Sequence, residues 1–210
     1  MNLITPDALL EQAARAIERV ESKLVLRDYD AKYAPLVTAA YDARPLHEAA
    51  ADSSWHVAMT FIEKTFKQIE SRLKVEFVDI DPYHTYEEMR KAVDDSGVLK
   101  VWTGASDTHP VWTPEQNWKF RAVHDYQSHL AGGHRFGLKG ELASYNRHVK
   151  TFPQAARPCL FTEIIGQTCA LSVTGTNPVQ KVCILHGFDY VNIGIVDEAA
   201  YQLNFEETNE

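Results

Sequence analysis

The chain has 210 residues and a formal net charge of −8 at pH 7, with apolar residues at 45% and charged residues at 24%. This composition is typical of a soluble globular protein that buries one sizeable core. The acidic balance excludes a general nucleic-acid-binding protein, which needs a basic surface, and no apolar run approaches the roughly 20 residues of a membrane span.

Amphipathic helices are predicted throughout the N-terminal part of the chain. Thr5 caps the first helix, with Pro6 at its first helical position and apolar residues following at helical spacing. A second helix is predicted from about residue 30 to residue 41, before Pro45. A third covers about residues 54–73. Its apolar stripe consists of Ala58, Ile62, Phe66, Ile69 and Leu73.

The middle of the chain predicts a small αβ unit. Residues 75–80 alternate apolar and polar side chains with a period of two, which is typical of a short strand. Thr85 and Glu88 have the spacing of a capping box, and the helix that they open ends near Gly97. Residues 98–102 form a second short strand, which we expect to pair with the first across this helix.

Helices return in the last part of the chain. The Thr-Pro pair at 113–114 starts a helix that is predicted to run to about Leu130, before the glycine pair at 132–133. Another helix is predicted over residues 139–150, and a third follows Pro158.

Together these elements predict a mainly α protein: a single helical domain over residues 1–210 with a small two-stranded β element. Residues 1–73 form the N-terminal helices, residues 74–112 the αβ segment, and residues 113–210 the helical region with the candidate metal site. The first ten residues, MNLITPDALL, lack the basic start and apolar run of a secretory signal. The three cysteines lie at no metal-ligand spacing, so we expect a reducing, cytoplasmic compartment.

Potential metal ligands are concentrated in one part of the sequence. Four of the nine histidines fall between His124 and His148, together with Asp125 and Glu141, and Glu163 follows in the next helix. Two imidazoles and one carboxylate with open coordination positions form the facial triad that suits non-haem iron(II). The same ligands suit catalytic zinc, which activates a bound water.

The spacing of the two central histidines restricts how they can meet. His124 and His129 are five residues apart, which places them about 140° apart around a regular helix. They converge on one ion only if the helix is distorted or ends, and the glycine pair at 132–133 makes an ending there plausible. We predict His124, His129 and Glu163 as the ligands of a divalent metal, either iron or zinc.

Three more residues are predicted to assist the metal. Asp125 lies four residues before His129, so the pair shares a helix face and the carboxylate can orient the imidazole. Glu141 and His148 are seven residues apart on one face, separated by about 10.5 Å of helix rise. We assign catalytic acid–base, orienting or alternative-ligand roles to Asp125, Glu141 and His148. Glu141 and His148 could instead form a structural network that fixes how two helices cross.

The remaining polar residues favour ordinary structural roles. His109 is expected in a turn, and Arg121 and Arg157 pair with carboxylates or clamp an anionic ligand. Four other histidines are expected to be surface or hydrogen-bonded residues: His47, His56, His84 and His186. Other catalytic classes lack their motifs, because there is no glycine-rich phosphate loop, no GxSxG and no HExxH, and each cysteine has apolar neighbours.

The stretch FRAVHDYQSHLAGGHRFGLKGELASYNRHVKTFPQAARPCLFTEIIGQ has a recognisable pattern: FRAVHDxxxH, FxxxGE, a histidine seven residues after that glutamate, an Ala-Arg pair and TExxGQ. It resembles an uncharacterised family of bacteriophage proteins. The upstream IDPYHTYEEM and HPVWTPEQN belong to the same likeness, which covers roughly the latter two thirds of the chain. Ser128 stands where family members often have glycine. The pattern falls on His124, Asp125, His129, Phe136, Gly140, Glu141, His148, Ala156, Arg157, Glu163 and Gln167.

A second, local resemblance concerns the metal site alone. His124, His129 and the Phe161-Thr-Glu163 segment are similar to the metal site of the aromatic amino acid hydroxylases, which combines two histidines five apart with a later glutamate. Those enzymes have glutamate directly after the first histidine, where this chain has Asp125. The rest of the chain does not match those enzymes, so the resemblance does not extend to a pterin site.

Two functions are therefore expected. The first is a phage-encoded, metal-dependent enzyme, an iron oxygenase or a zinc hydrolase, acting on a small molecule or a peptide in the infected cell. The second is a non-catalytic virion component or host-interaction protein in which the His/Glu cluster is structural. An open coordination position that faces a pocket favours the enzyme, whereas a closed ligand shell favours the alternative.

Overall fold

The computed structural model describes residues 33–195, so the helix predicted after Thr5 lies outside the described residues. The described chain is mainly α with a small two-stranded parallel sheet, which confirms the predicted fold class. Its principal elements, in chain order, are α1 (Ala34–Asp42), α2 (Asp52–Glu70), β1 (Lys74–Val78), α3 (Tyr86–Ser96), β2 (Val98–Trp102), α4 (Pro114–His124), α5 (Leu138–Thr151), α6 (Arg157–Leu160) and α7 (Gln167–Thr174).

Helix α2 runs through the core. The predicted stripe is buried at Ala58, Ile62, Phe66 and Ile69, whereas Leu73 lies beyond the helix end and is half-buried. The same face also carries Trp55 and Met59, both buried. Helix α2 therefore supplies the wall against which α4 and α6 pack.

Strands β1 and β2 pair in parallel, with Lys74 opposite Val98 and Val78 opposite Trp102. Helix α3 makes the crossover between them. Thr85 caps α3 by accepting a hydrogen bond from the backbone N–H of Glu88 at 3.1 Å. The Glu88 carboxylate accepts instead from the backbone N–H of His84, one residue further back than a capping box requires.

The predicted capping box at the start of α4 is complete. The Thr113 hydroxyl accepts from the Gln116 backbone N–H at 3.3 Å, and the Gln116 side chain accepts from the Thr113 backbone N–H at 3.0 Å. The α-helix does not continue to Leu130 as predicted, because it ends at His124 and widens into a π-helical turn over Asp125–Leu130. A second π-helical turn, Phe161–Gly166, separates α6 from α7.

Two-residue strands β3 (Phe188–Asp189) and β4 (Gly194–Ile195) pair in an antiparallel ladder that the sequence pattern did not predict. Between residues 33 and 195, no helix combines the length and apolar character that a bilayer span requires. The three cysteines are buried, as their apolar neighbours predicted.

Candidate metal centre

Three side chains converge at the junction of α4, the first π-helical turn and α5. The Nε2 atom of His124 lies 3.0 Å from Oε2 of Glu141, and Nε2 of His129 lies 3.3 Å from Oε1 of the same carboxylate. One ligand atom from each of the three residues lies within 4.8 Å of the other two. His124, His129 and Glu141, hereafter the metal group, could therefore hold a metal ion.

The π-helical turn brings the two histidines together. Its hydrogen bonds join residues five apart, as between the Ala131 N–H and the Tyr126 carbonyl at 2.9 Å. Residues five apart, such as His124 and His129, then lie one above the other rather than on opposed faces. Their rings meet edge to face, with centroids 4.9 Å apart. The distortion that their spacing required is thus present in the helix itself.

The glycine pair closes the turn and fixes the orientation of His129. A Cβ on Gly132 would lie 2.4 Å from the Ser128 carbonyl oxygen, so only glycine fits there, and Gly133 adopts a φ of +71° that favours glycine. The chain reverses and brings the His134 carbonyl oxygen to 2.7 Å from Nδ1 of His129. A carbonyl only accepts, so Nδ1 carries a proton and Nε2 is the atom that faces Glu141.

Opposite charges are paired within the metal group. Burial alone would raise the pKa of the Glu141 carboxyl, but the charges and hydrogen bonds of His124 and His129 outweigh it and hold that pKa well below its usual range. Burial lowers the pKa of His129, but the hydrogen bond and charge of Glu141 outweigh this and raise it overall. The metal-free group therefore favours an ionised carboxylate beside a protonated imidazole.

His148 touches the metal group without belonging to it. Its Nε2 lies 3.2 Å from Nδ1 of His124 and 2.9 Å from the Ser128 hydroxyl. Burial lowers the pKa of His148 well below its usual value, and the nearby His124 adds to this, so the ring is neutral. His148 contacts the ring nitrogen of His124 that points away from Glu141. It can thereby fix which His124 nitrogen faces an ion.

Asp125 stands beside the metal group and contributes no atom to it. The side chain is half-buried at the start of the π-helical turn. Burial raises the pKa of its carboxyl, and the neighbouring imidazoles of His129 and His124 partly offset that effect. The predicted role of orienting His129 is instead performed by the His134 carbonyl.

Glu163 occupies a different place from the predicted one. Its Oε1 accepts hydrogen bonds from the Trp55 indole at 2.8 Å and from Nε2 of His109 at 3.0 Å, and its Oε2 accepts from the Gln167 amide at 2.6 Å. Both carboxylate oxygens are thus bonded to other side chains. Glu141, from the neighbouring helix α5, stands in the position that the prediction gave to Glu163.

Sequence reasoning missed the contribution of His109. It is buried, and its Nδ1 accepts hydrogen bonds from the backbone N–H groups of Val111 and Trp112, at 3.2 and 2.8 Å. Nε2 therefore carries the proton of a neutral imidazole ring, and this N–H donates the hydrogen bond to Glu163. The sequence signal for this role is the position of His109 at the start of the HPVWTPEQN segment, which leads into the capping box at Thr113.

A cavity of about 150 Å³ adjoins the metal group. His124 and Glu141 line it, so two of the three potential ligands border open space. Most of its other lining residues are polar: Asn117, Arg121, Glu163, Gln167, Thr168 and Gln180. A larger groove of about 850 Å³ runs between α3 and the β1–β2 sheet and includes no residue of the metal group.

The other singled-out side chains have structural roles or lie on the surface. Arg121 directs its Nη1 to the Trp102 and Gly104 carbonyls, at 3.0 and 2.7 Å, rather than to a carboxylate. Four histidines are exposed, as predicted: His47, His56, His84 and His186.

No protein-family model, curated protein or solved structure matches the chain.

Proposed function

We propose that this protein is a metal-dependent enzyme in which His124, His129 and Glu141 bind a divalent ion, iron or zinc. The observation that carries the proposal is the convergence of three ligand atoms within 4.8 Å of one another beside a cavity. Two imidazoles and a carboxylate supply three ligands, fewer than either metal's full coordination number. The remaining positions can then be filled by water or substrate from the cavity.

The bound ion would supply the reactive centre: zinc activates water for hydrolysis, and iron(II) with this ligand set activates oxygen. The protein's own residues hold and orient that centre. The His134 carbonyl presents Nε2 of His129 to the ion, and His148 does the same for Nε2 of His124.

A phage origin is part of this proposal and is supported by the FRAVHDxxxH and TExxGQ segments alone. The competing function is a non-catalytic virion or host-interaction protein with a structural His/Glu cluster. The cavity beside His124 and Glu141 favours the enzyme, because a purely structural site needs no open space at its ligands.

Elemental analysis of protein purified without added metal or a metal-binding tag tests the proposal. We expect about one equivalent of iron or zinc per chain, and its identity selects between the two chemistries. Replacing His124, His129 or Glu141 with alanine removes a ligand, so each variant should lose the metal.

His56→Ala is the matched control, because His56 is an exposed histidine on α2, and this variant should keep its metal. Full metal content in His124→Ala and His129→Ala would refute the ligand assignment. Retention of the metal in Glu141→Ala with its loss in Glu163→Ala would move the carboxylate ligand to Glu163.

A further inference from the structure

A second buried carboxylate lines the cavity beside the metal group. Glu163 is 5% exposed as a residue, and its side chain is 1% exposed. It borders the same 150 Å³ space as His124 and Glu141. The cavity is thus lined by one carboxylate that can ligate a metal and one that is held by other side chains.

The groups that hold Glu163 are neutral. Trp55 and Gln167 carry no charge, and the two backbone N–H groups that bond Nδ1 of His109 leave it a neutral imidazole. Three N–H donors stabilise an ionised carboxylate but do not cancel its charge. Arg121 also lines the cavity, with its guanidinium bonded to the carbonyls of the loop after β2.

This charge restricts what can enter. In a buried site, where the dielectric is low, a like charge beside Glu163 is strongly repelled. A ligand group with an N–H or O–H bond is attracted instead, because it can donate to the carboxylate. A divalent ion held by two neutral imidazoles and Glu141 keeps one positive charge, which Glu163 balances. Arg121 adds a positive charge to the same wall, but its guanidinium nitrogens are bonded to the carbonyls of Trp102, Gly104 and Ala105, so Glu163 is the group that meets a ligand's donor.

We propose that Glu163 determines the specificity of the metal site, which takes a small uncharged molecule with a lone-pair oxygen or nitrogen for the metal and an N–H or O–H donor for Glu163. A primary carboxamide has both groups, whereas the carboxylate of the same shape has only acceptors. The cavity volume matches one that holds benzene, so the part of the ligand inside the cavity has about six non-hydrogen atoms. This inference rests on the proposed function of the metal group.

Acetamide and acetate form a matched pair of probes, equal in shape and different in charge. The cobalt(II)-loaded protein is titrated with each at about pH 7, and binding is followed by the visible absorption of the metal. We expect the wild-type protein to bind acetamide more tightly than acetate. Glu163→Gln, which removes the charge and keeps the shape, should shift the ratio of the two dissociation constants toward acetate by about tenfold or more.

Glu63→Gln is the matched control, because it makes the same substitution at an exposed carboxylate on α2 that does not line the cavity. In this control, the ratio of the acetamide and acetate dissociation constants should stay within about twofold of the wild-type ratio. An unchanged ratio in Glu163→Gln would overturn the inference, as would loss of cobalt from that variant, since Glu163 would then be a ligand.

The wild-type titrations test the proposed preference for an uncharged ligand even if Glu163→Gln does not fold. Tighter binding of acetate than of acetamide by the wild-type protein would overturn the inference. Failure of the wild-type protein to bind cobalt at all would instead refute the proposed metal site, so the two failures are distinguishable.

Discussion

His129 shows how a single residue connects the fold to the chemistry of the site. Its Nδ1 donates to the His134 carbonyl at 2.7 Å, so that nitrogen keeps its proton at every accessible pH. The proton on Nε2 is the one that a metal must displace, and Glu141 stabilises that proton from 3.3 Å away. Proton and metal therefore compete for one nitrogen atom.

This competition predicts that rising pH has opposite effects on two quantities: the stability that His129 gives the metal-free protein and the extra stability that a bound metal gives. The pKa of His129 is raised above 6.5, so its contribution to metal-free stability is complete below that pH and is lost as the pH rises. The pKa of Glu141 is lowered from 4.5, so its contribution is present above that pH and is lost on acidification. Metal binding needs the deprotonated imidazole. The rise in melting temperature on adding zinc should therefore grow between about pH 6 and pH 8.

Calorimetry at a fixed free zinc concentration measures this increment. In His129→Gln no proton competes with zinc at this position, so any remaining rise in melting temperature on adding zinc should vary less with pH. An increment in the wild-type protein that stays constant or shrinks with rising pH would contradict the assignment of His129 as a ligand.

The sequence does not reveal which carboxylate, Glu141 or Glu163, faces the two imidazoles. The cluster from His124 to Glu163 is visible in the sequence because titratable residues are dense there. Which carboxylate faces the imidazoles depends on α5 packing beside the π-helical turn, a tertiary relation that no local spacing encodes. The burial of His109 against Glu163 is likewise a contact between residues 54 positions apart.

At the scale of secondary-structure elements, the regular helices and strands could be predicted from the sequence, whereas the π-helical turn could not. The strand at 98–102, the capping box at Thr113 and the glycine end of α3 match because each depends on neighbouring residues alone. The sequence showed that a regular helix could not bring His124 and His129 together. It did not show that the solution was a π-helical turn, since such turns are stabilised by their surroundings.

The π-helical turn makes an unusual deletion tolerable. Removing Gln127 would leave the histidines four residues apart, and a regular α-helix places residues four apart on one face. Gln127 also has a buried side-chain oxygen with no hydrogen-bond partner among residues 33–195, so its loss removes an unfavourable group. We expect the deletion variant to retain its metal, as measured by elemental analysis.

Insertion of one alanine after Gln127 is the contrasting variant. It separates the histidines by six residues, which a regular helix places about 120° apart around its axis, so this variant should lose the metal. Circular dichroism checks that both variants remain helical. Metal loss on deletion combined with retention on insertion would show that the turn is not what aligns the two rings.

At the scale of the whole molecule, Glu163 joins its own segment to two distant ones. Its donors come from Trp55 in α2, His109 in the loop before α4 and Gln167 at the start of α7. A hydrogen bond to a buried charge is worth more than one between neutral groups, because the unpaired charge cannot recover its solvation. The carboxylate that lines the cavity should therefore also stabilise the packing of these segments.

Two tryptophan substitutions test this stabilising role. Trp55→Phe removes an indole N–H that bonds Glu163, whereas Trp112→Phe removes one with no hydrogen-bond partner in the described part of the chain. Both side chains are buried, and both changes lose the same volume. Urea unfolding should show Trp55→Phe to be less stable than Trp112→Phe by about 1.5–3 kcal/mol. Equal losses of unfolding free energy would mean that the indole bond to Glu163 contributes nothing.

The widened turn at Asp125–Leu130 also bears on ancestry. Adding one residue within an α-helix, with the flanking residues kept in place, changes an i→i+4 hydrogen bond into an i→i+5 one and so makes such a turn. A related chain without that residue would carry its two imidazoles at the spacing HxxxH, one position closer than here. A sequence search for distant homologues should accordingly permit a single gap between His124 and His129.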